Sequence, residues 1–194
     1  MPPRKIQFVQ GAYYHIYNRG ANRQSIFRSD ENYKFCLRLM QQYRQALNIS
    51  VIAYCLMPNH YHWLVRQDGE ATAGLLPTRV FNSYSKAFNN AYKRSGTLFE
   101  DRFDAILVET DEYLHHLCRY IHMNPVKDGF AAAPELWPYS NYPEWIGLRN
   151  GLLIDQVFVH AHFPDPQRYQ AFVLDYLNGR STLPKGLQLY LENL

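Results

Sequence analysis

Apolar positions along this chain recur with two periods. From Ile49 to Met57 they are nearly continuous, the pattern of a central strand covered on both faces. Pro58-Asn59 then forms a turn, and residues 60–66 predict an antiparallel partner strand in which His60 and His62 point to one face while Tyr61, Trp63 and Val65 point to the other. An earlier run, residues 13–18, is rich in aromatic and β-branched residues and predicts a strand that Arg19-Gly20 ends. Residues 97–108 predict a bent or bulged strand returning to the same sheet. Helical spacing appears three times between these runs. Asp30 is placed to cap a helix over residues 30–47, with Phe35, Cys36, Leu39, Met40, Tyr43 and Leu47 as its buried stripe. A second helix starts near Pro77, buries Phe81, Tyr84, Phe88 and Ala91, and ends at Ser95-Gly96. A third is capped by Thr110 or Asp111, buries Leu114, Leu117 and Ile121, and stops at Asn124-Pro125, because proline cannot continue the hydrogen-bond ladder.

The order strand, helix, strand, strand, helix, strand, helix predicts an α+β fold, a ferredoxin-like antiparallel sheet with packed helices. Residues 1–11 read as a loose basic lead-in. Past Gly129 the pattern weakens into an aromatic, proline-bearing arm over residues 136–142, one more helix near residues 167–177 and a polar tail. With 194 residues and no internal repeats, this is one catalytic-sized unit over residues 1–130 and an extension over 131–194 that packs on it. No apolar run reaches the roughly 18 residues of a membrane span and no signal-peptide core opens the chain, so the cytoplasm is the expected location. Cys36, Cys55 and Cys118 sit widely apart among apolar residues and read as buried thiols.

Charge changes the picture of partners. Residues 1–130 hold 16 Lys/Arg against 11 Asp/Glu, whereas residues 131–194 hold 4 against 6. A basic front half suits a polyanion. Asn18-Arg19-Gly20-Ala21-Asn22-Arg23 gathers two guanidinium groups and two amides around a glycine, a composition suited to phosphate and base-edge contacts and equally to a solvated loop. Arg79, Lys86 and Lys93 recur every seventh residue as a basic ridge, facing either a ligand or water.

Two imidazoles at i and i+2 on a strand are two legs of an open metal site, or simply two polar residues on a half-exposed strand. Asn124 offers an amide oxygen as a third leg, and Tyr120 lies one helical turn before it. A tyrosine of ordinary pKa is only about 0.1% ionised at neutral pH and attacks phosphorus poorly unless a divalent ion polarises the phosphate. Metal and phenol together therefore mean more than either alone, although fifteen other tyrosines are present and most must pack. His160-Ala161-His162 is also an H-x-H, but Phe163-Pro164 closes it and no Tyr-x-x-x-Asn helix follows, so it reads as structure. His115 and His116 read as supporting or solvent-facing residues, and His122 points away from Tyr120.

These residues resemble the single-tyrosine transposases of the HUH superfamily, and among them the REP-associated tyrosine transposases. The resemblance rests on Ala53-Tyr54-Cys55-Leu56-Met57-Pro58-Asn59-His60-Tyr61-His62, on Tyr120-Ile121-His122-Met123-Asn124-Pro125-Val126-Lys127-Asp128-Gly129, on Tyr17-Asn18-Arg19-Gly20, on Leu98-Phe99-Glu100-Asp101-Arg102-Phe103, and on the aromatic arm, covering roughly residues 12–147. It implies an HUH endonuclease fold and a single-stranded DNA nickase and strand transferase, with residues 1–130 as its catalytic domain. His60, His62 and Asn124 would hold Mg or Mn, with Asn124 where related insertion-sequence enzymes often have Gln. Tyr120 would attack hairpin DNA to leave a 5′-phosphotyrosine and a free 3′-hydroxyl. Asn18, Arg19, Arg23 and Arg102 are the candidate DNA contacts, and the protein would act as a monomer or a homodimer. Asp128 departs from the family, which more often has Ala before the glycine, and adds negative charge near the metal. A hairpin-binding protein that no longer turns over is the alternative. A two-histidine metallohydrolase for small phosphoesters fits less well, lacking the extra Asp/His ligands that water activation needs.

Overall fold

The alternation at the histidine strand decides the layering. In a computed structural model, which describes residues 6–180, 182 and 183, β1 (Tyr13–Arg19), β2 (Ile49–Leu56), β3 (His60–Gln67) and β4 (Asp104–Val108) form one antiparallel sheet in the order β2-β3-β1-β4. Part of the basic lead-in and most of the polar tail lie outside the described residues. Tyr61, Trp63 and Val65 join Tyr14 and Ile16 in a core under α1 (Asp30–Leu47) and α2 (Leu75–Ala91). The opposite face, with Leu64 and Ile52, packs against α3 (Asp111–Lys127) and the C-terminal helices α4 (Tyr142–Trp145), α5 (Gln156–His162) and α6 (Pro166–Leu177). The α+β architecture is as the periodicity predicts. All three cysteines are buried and free, and among the described residues no helix is long and apolar enough to cross a membrane.

β2 is an edge strand, not a central one. Its apolar run has two other causes. A β-bulge between Val51 and Ala53 breaks the alternation, so Ile49, Val51, Tyr54 and Leu56 face α1 and α2 while Ile52, Ala53 and Cys55 face α3. The open edge is then covered by the aromatic arm, which hides the unpaired backbone groups that an edge strand otherwise presents. Leu56 N donates to Tyr139 O at 2.9 Å and Asn141 N to Tyr54 O at 3.3 Å. The Asn141 side chain accepts from Tyr54 N and donates to Ile52 O, both at 2.8 Å.

Other expected boundaries move for local reasons. Ser29 occupies the N-cap position of α1 without a side-chain cap bond, and Asp30 is the first helical residue, paired with Lys34 and accepting from Tyr139. Tyr33 enters the core, stacked on Tyr139 at 3.6 Å, while Phe35 and Tyr43 are half-buried. α2 ends at Ala91, which is exposed, so Lys93 lies past the helix at positive φ and the basic ridge reduces to Arg79 and Lys86. Residues 97–103 are irregular, touching the sheet through an isolated Gly20–Phe99 bridge, and only the last part of the expected strand forms β4. α3 runs through Pro125 to Lys127. Proline in the last turn removes one bond, to the Ile121 carbonyl, and the buried Pro125 keeps its own carbonyl occupied by Phe130 N and Ala131 N at 2.8 and 3.1 Å.

Asn141 satisfies two buried backbone groups of β2, Tyr54 N and Ile52 O. Replacing it with Ala should lower the unfolding free energy by about 2–4 kcal/mol, seen as a lower urea midpoint at unchanged slope. A midpoint equal to wild type would show that the edge is held by the surrounding aromatics alone.

Candidate active site

α3 lies across the sheet face that carries the histidines, and this crossing assembles the site. The His60 and His62 rings are 5.2 Å apart and nearly perpendicular, and the Tyr120 ring stands edge-on to His62 at 5.4 Å. Asn124 lines the same cleft as His60 and the Tyr120 side chain. Its Nδ2 donates to Tyr120 O at 3.1 Å, which leaves Oδ1 as the atom available to the cleft. β1 runs beside β3 with Tyr17 opposite His62 and Arg19 opposite His60. The chain then turns sharply at Gly20, where a Cβ would lie 2.2 Å from Gln24 O, and this turn carries Arg23 to the rim.

The cleft between these elements has a volume of about 600 Å³. Seven of the eight residues singled out from the sequence line it: Asn18, Arg19, Arg23, His60, His62, Tyr120 and Asn124. Arg102 does not. It lines a neighbouring hollow with Phe81, Phe99 and Phe103, which meets the cleft at Asn18. The structure adds Tyr17, Asn59, Lys127, Asp128 and Phe130 to the lining.

Burial governs the electrostatics. It pushes the His60 imidazole down against the pull of Asp128 and Asn124. His62 is driven well below its ordinary range by burial, with His15, His60 and Lys127 adding to the effect. Both rings are therefore neutral, the form that ligates metals. His15, fully buried on β1, is hydrogen-bonded through Nε2 to His62 Nδ1 at 3.0 Å. That bond leaves His62 Nε2 for the cleft, the kind of outer contact that orients a ligating imidazole. The Tyr120 phenol is pushed up to about 12, chiefly by burial and against a hydrogen bond from Asn124, so it is neutral at physiological pH.

Among the described residues no group of three or more His, Cys, Asp or Glu is arranged to hold a metal. A closed structural site is therefore not what these side chains make. Two neutral imidazole nitrogens and an amide oxygen are the donor types of an open divalent site, while the Asp128 carboxylate lies 3.8 Å from His60 Nε2.

A family model described as "Transposase IS200 like" matches residues 8–124, from just before β1 to the last candidate ligand. The chain belongs to the IS200-like transposase family. The relatives it resembles are REP-associated tyrosine transposases. A Haemophilus influenzae protein assigned to that group is 29% identical over 102 residues, covering 47% of this chain. The chain spans only 57% of the length of that relative. The solved structure of a REP-associated tyrosine transposase bound to a REP hairpin superposes with a TM-score of 0.62 at 18% identity, covering 80% of this chain and 92% of that one. It has the same fold.

In this member of the IS200-like family the other histidines do separate work. His160 is exposed, and His162 bonds to His115 at 2.9 Å at the far end of α3, outside the cleft. His116 is bound to Arg119 at 2.7 Å. His122 points away from Tyr120, between Tyr169 Oη at 2.6 Å and Asn141 Oδ1 at 3.0 Å. His15 had a weak signal in the sequence: it shares the phase of Tyr17 on β1, but only the strand register shows that this is the face of His62.

Burial lowers His15 to about 3 and His122 to about 4. In the unfolded chain both protonate near pH ~6.5, so unfolding takes up protons below that value and stability falls as pH drops from about 6.5 toward about 4. Between pH 7 and pH 5 the loss should be about 2 kcal/mol for each of these two imidazoles. Denaturant titrations at the two pH values check it, and His122→Gln should remove one share of the loss.

Proposed function

We propose that this chain is a metal-dependent endonuclease and strand transferase for single-stranded DNA that acts on hairpin DNA of the REP type. The observation that carries the reading is the placement of the Tyr120 phenol edge-on to His62, in a cleft that His60 and Asn124 also line. The hairpin in the similar solved structure is the reason to nominate this form of DNA.

In this reading the Tyr120 Oη attacks the scissile phosphorus. The Oη–P bond forms, the P–O3′ bond breaks, the phenolic proton passes to solvent and the departing 3′ oxygen takes one up. The products are a 5′-phosphotyrosine and a free 3′-hydroxyl, and attack by another 3′-hydroxyl reverses the step to join strands. One ester replaces another, so the chemistry is near thermoneutral and the protein's task is positioning and charge stabilisation. His60, His62 and Asn124 would hold Mg or Mn, which when bound supplies the positive charge that polarises the phosphate. Burial holds the imidazoles neutral for that role, and His15 keeps His62 turned toward the cleft. Asn18, Arg19 and Arg23 would grip the strand entering the cleft, and Arg102 would meet it in the neighbouring hollow. We assign catalysis to residues 1–130, with residues 131–194 an extension packed on the same unit. The protein would work on the bacterial nucleoid in the cytoplasm, as a monomer or a homodimer.

The test is incubation of the protein with a labelled single-stranded hairpin and Mn. A covalent adduct that survives denaturation is expected in wild type. Tyr120→Phe should abolish it, and His60→Ala or a chelator should reduce it by roughly a thousandfold. Cleavage by Tyr120→Phe at the wild-type rate would remove Tyr120 as the nucleophile. Tight hairpin binding without any adduct would instead make the chain a non-catalytic binding protein.

Hairpin affinity of Tyr120→Phe should fall steeply with salt, because each neutralised phosphate releases counterions. An affinity that is flat between 50 and 200 mM salt would count against the cationic rim.

A further inference from the structure

The continuation of α3 through Pro125 brings one more charge to the site. Lys127 lies seven residues after Tyr120 on the same helix. Seven residues are close to two turns, so the two side chains share a face. The Lys127 ammonium is 5.3 Å from the centre of the Tyr120 ring, and its side chain lines the same cleft as His60, His62 and Asn124.

The two other cations of the cleft are committed or peripheral. Arg19 is bound through Nε and Nη2 to Glu100 at 3.1 and 3.0 Å. Arg23 sits on the sharp turn after β1 at positive φ. Among the described residues Lys127 is in no ion pair with a carboxylate, and the adjacent Asp128 lies toward His60 instead, at 3.8 Å. Its field reaches the histidines as well, since it is among the groups that hold His60 and His62 neutral.

We propose that Lys127 is a catalytic residue, whose ammonium contacts a non-bridging oxygen of the scissile phosphate while Tyr120 attacks. The inference rests on the reading of Tyr120 as nucleophile. As the Oη–P bond forms and the P–O3′ bond breaks, the phenolic proton goes to solvent and the leaving 3′ oxygen is protonated from solvent. Lys127 keeps its proton throughout. Negative charge on the phosphoryl oxygens and the leaving oxygen is greatest in the transition state, and a cation fixed on a helix beside it costs no reorganisation at that moment. The plain alternative is a solvated lysine lying over an aromatic ring, a contact with no bearing on rate.

Lys127 is exposed at the end of α3, so substitutions there leave the fold intact, which thermal unfolding would check. Lys127→Met keeps the aliphatic stem and removes the charge; Lys127→Arg keeps the charge. At saturating hairpin and Mn, Lys127→Met should slow single-turnover adduct formation by roughly 10- to 100-fold. Hairpin affinity, measured in a Tyr120→Phe background, should change by less than about 3-fold, and Lys127→Arg should recover most of the rate. Arg23→Met should do the reverse, weakening affinity with little effect on the saturated rate. A Lys127→Met rate within twofold of wild type overturns the proposal, and so does a loss confined to affinity. If wild type itself forms no adduct, the assignment of Tyr120 falls and this inference falls with it.

Discussion

Everything in the cleft depends on where α3 lies on the sheet, and that position is held by a hydrogen-bonded chain through buried side chains. Tyr169 on α6 bonds to His122, His122 bonds to Asn141, and Asn141 bonds to the backbone of β2 on the far side. Arg119 adds a second tie, its guanidinium 4.2 Å from the centre of the Phe172 ring and donating to Thr182 O at 3.1 Å. These residues alternate with Tyr120 along the helix. The outward half of one turn faces the cleft while the inward half is bolted to the C-terminal arm. The helix therefore presents its phenol from a fixed platform, although no described residue of the arm lines the cleft.

A second constraint follows from burial. A low-dielectric setting favours neutral imidazoles, which suits metal ligation, and the same setting makes the tyrosine harder to ionise. The two effects pull on the chemistry in opposite directions. Among the described residues the one cation set beside the phenol is on the last turn of α3, where the Lys127 ammonium lies 5.3 Å from the centre of the Tyr120 ring.

Much of this was legible in the sequence, wherever the signal was local. The alternation at residues 60–66 correctly put His60 and His62 on one face, and helical spacing correctly put Tyr120 and Asn124 on one side of a helix. Long-range features were not legible. Nothing in the apolar run of residues 49–56 reveals that its covering partner is a loop more than eighty residues away, so an edge strand read as a central one. Pro125 read as a stop because the rule counts the lost bond and not the burial that offsets it; Lys127 was hidden behind that stop. Arg102 followed the motif but sits on an irregular segment that leaves the cleft, and His15 required a strand register that no single strand encodes.

The bulge at Val51 and Ala53 has an evolutionary side. Faces on a strand are a matter of odd and even, and the bulge is where this hairpin changes parity. A one-residue insertion or deletion elsewhere between Ile49 and His60 would exchange the faces of everything on one side of it, setting Tyr61 and Trp63 against the place where the histidines belong. The bulge is the point where one surplus residue is already absorbed, so a lineage carrying this site can shorten or lengthen the hairpin there and keep its histidines facing the cleft.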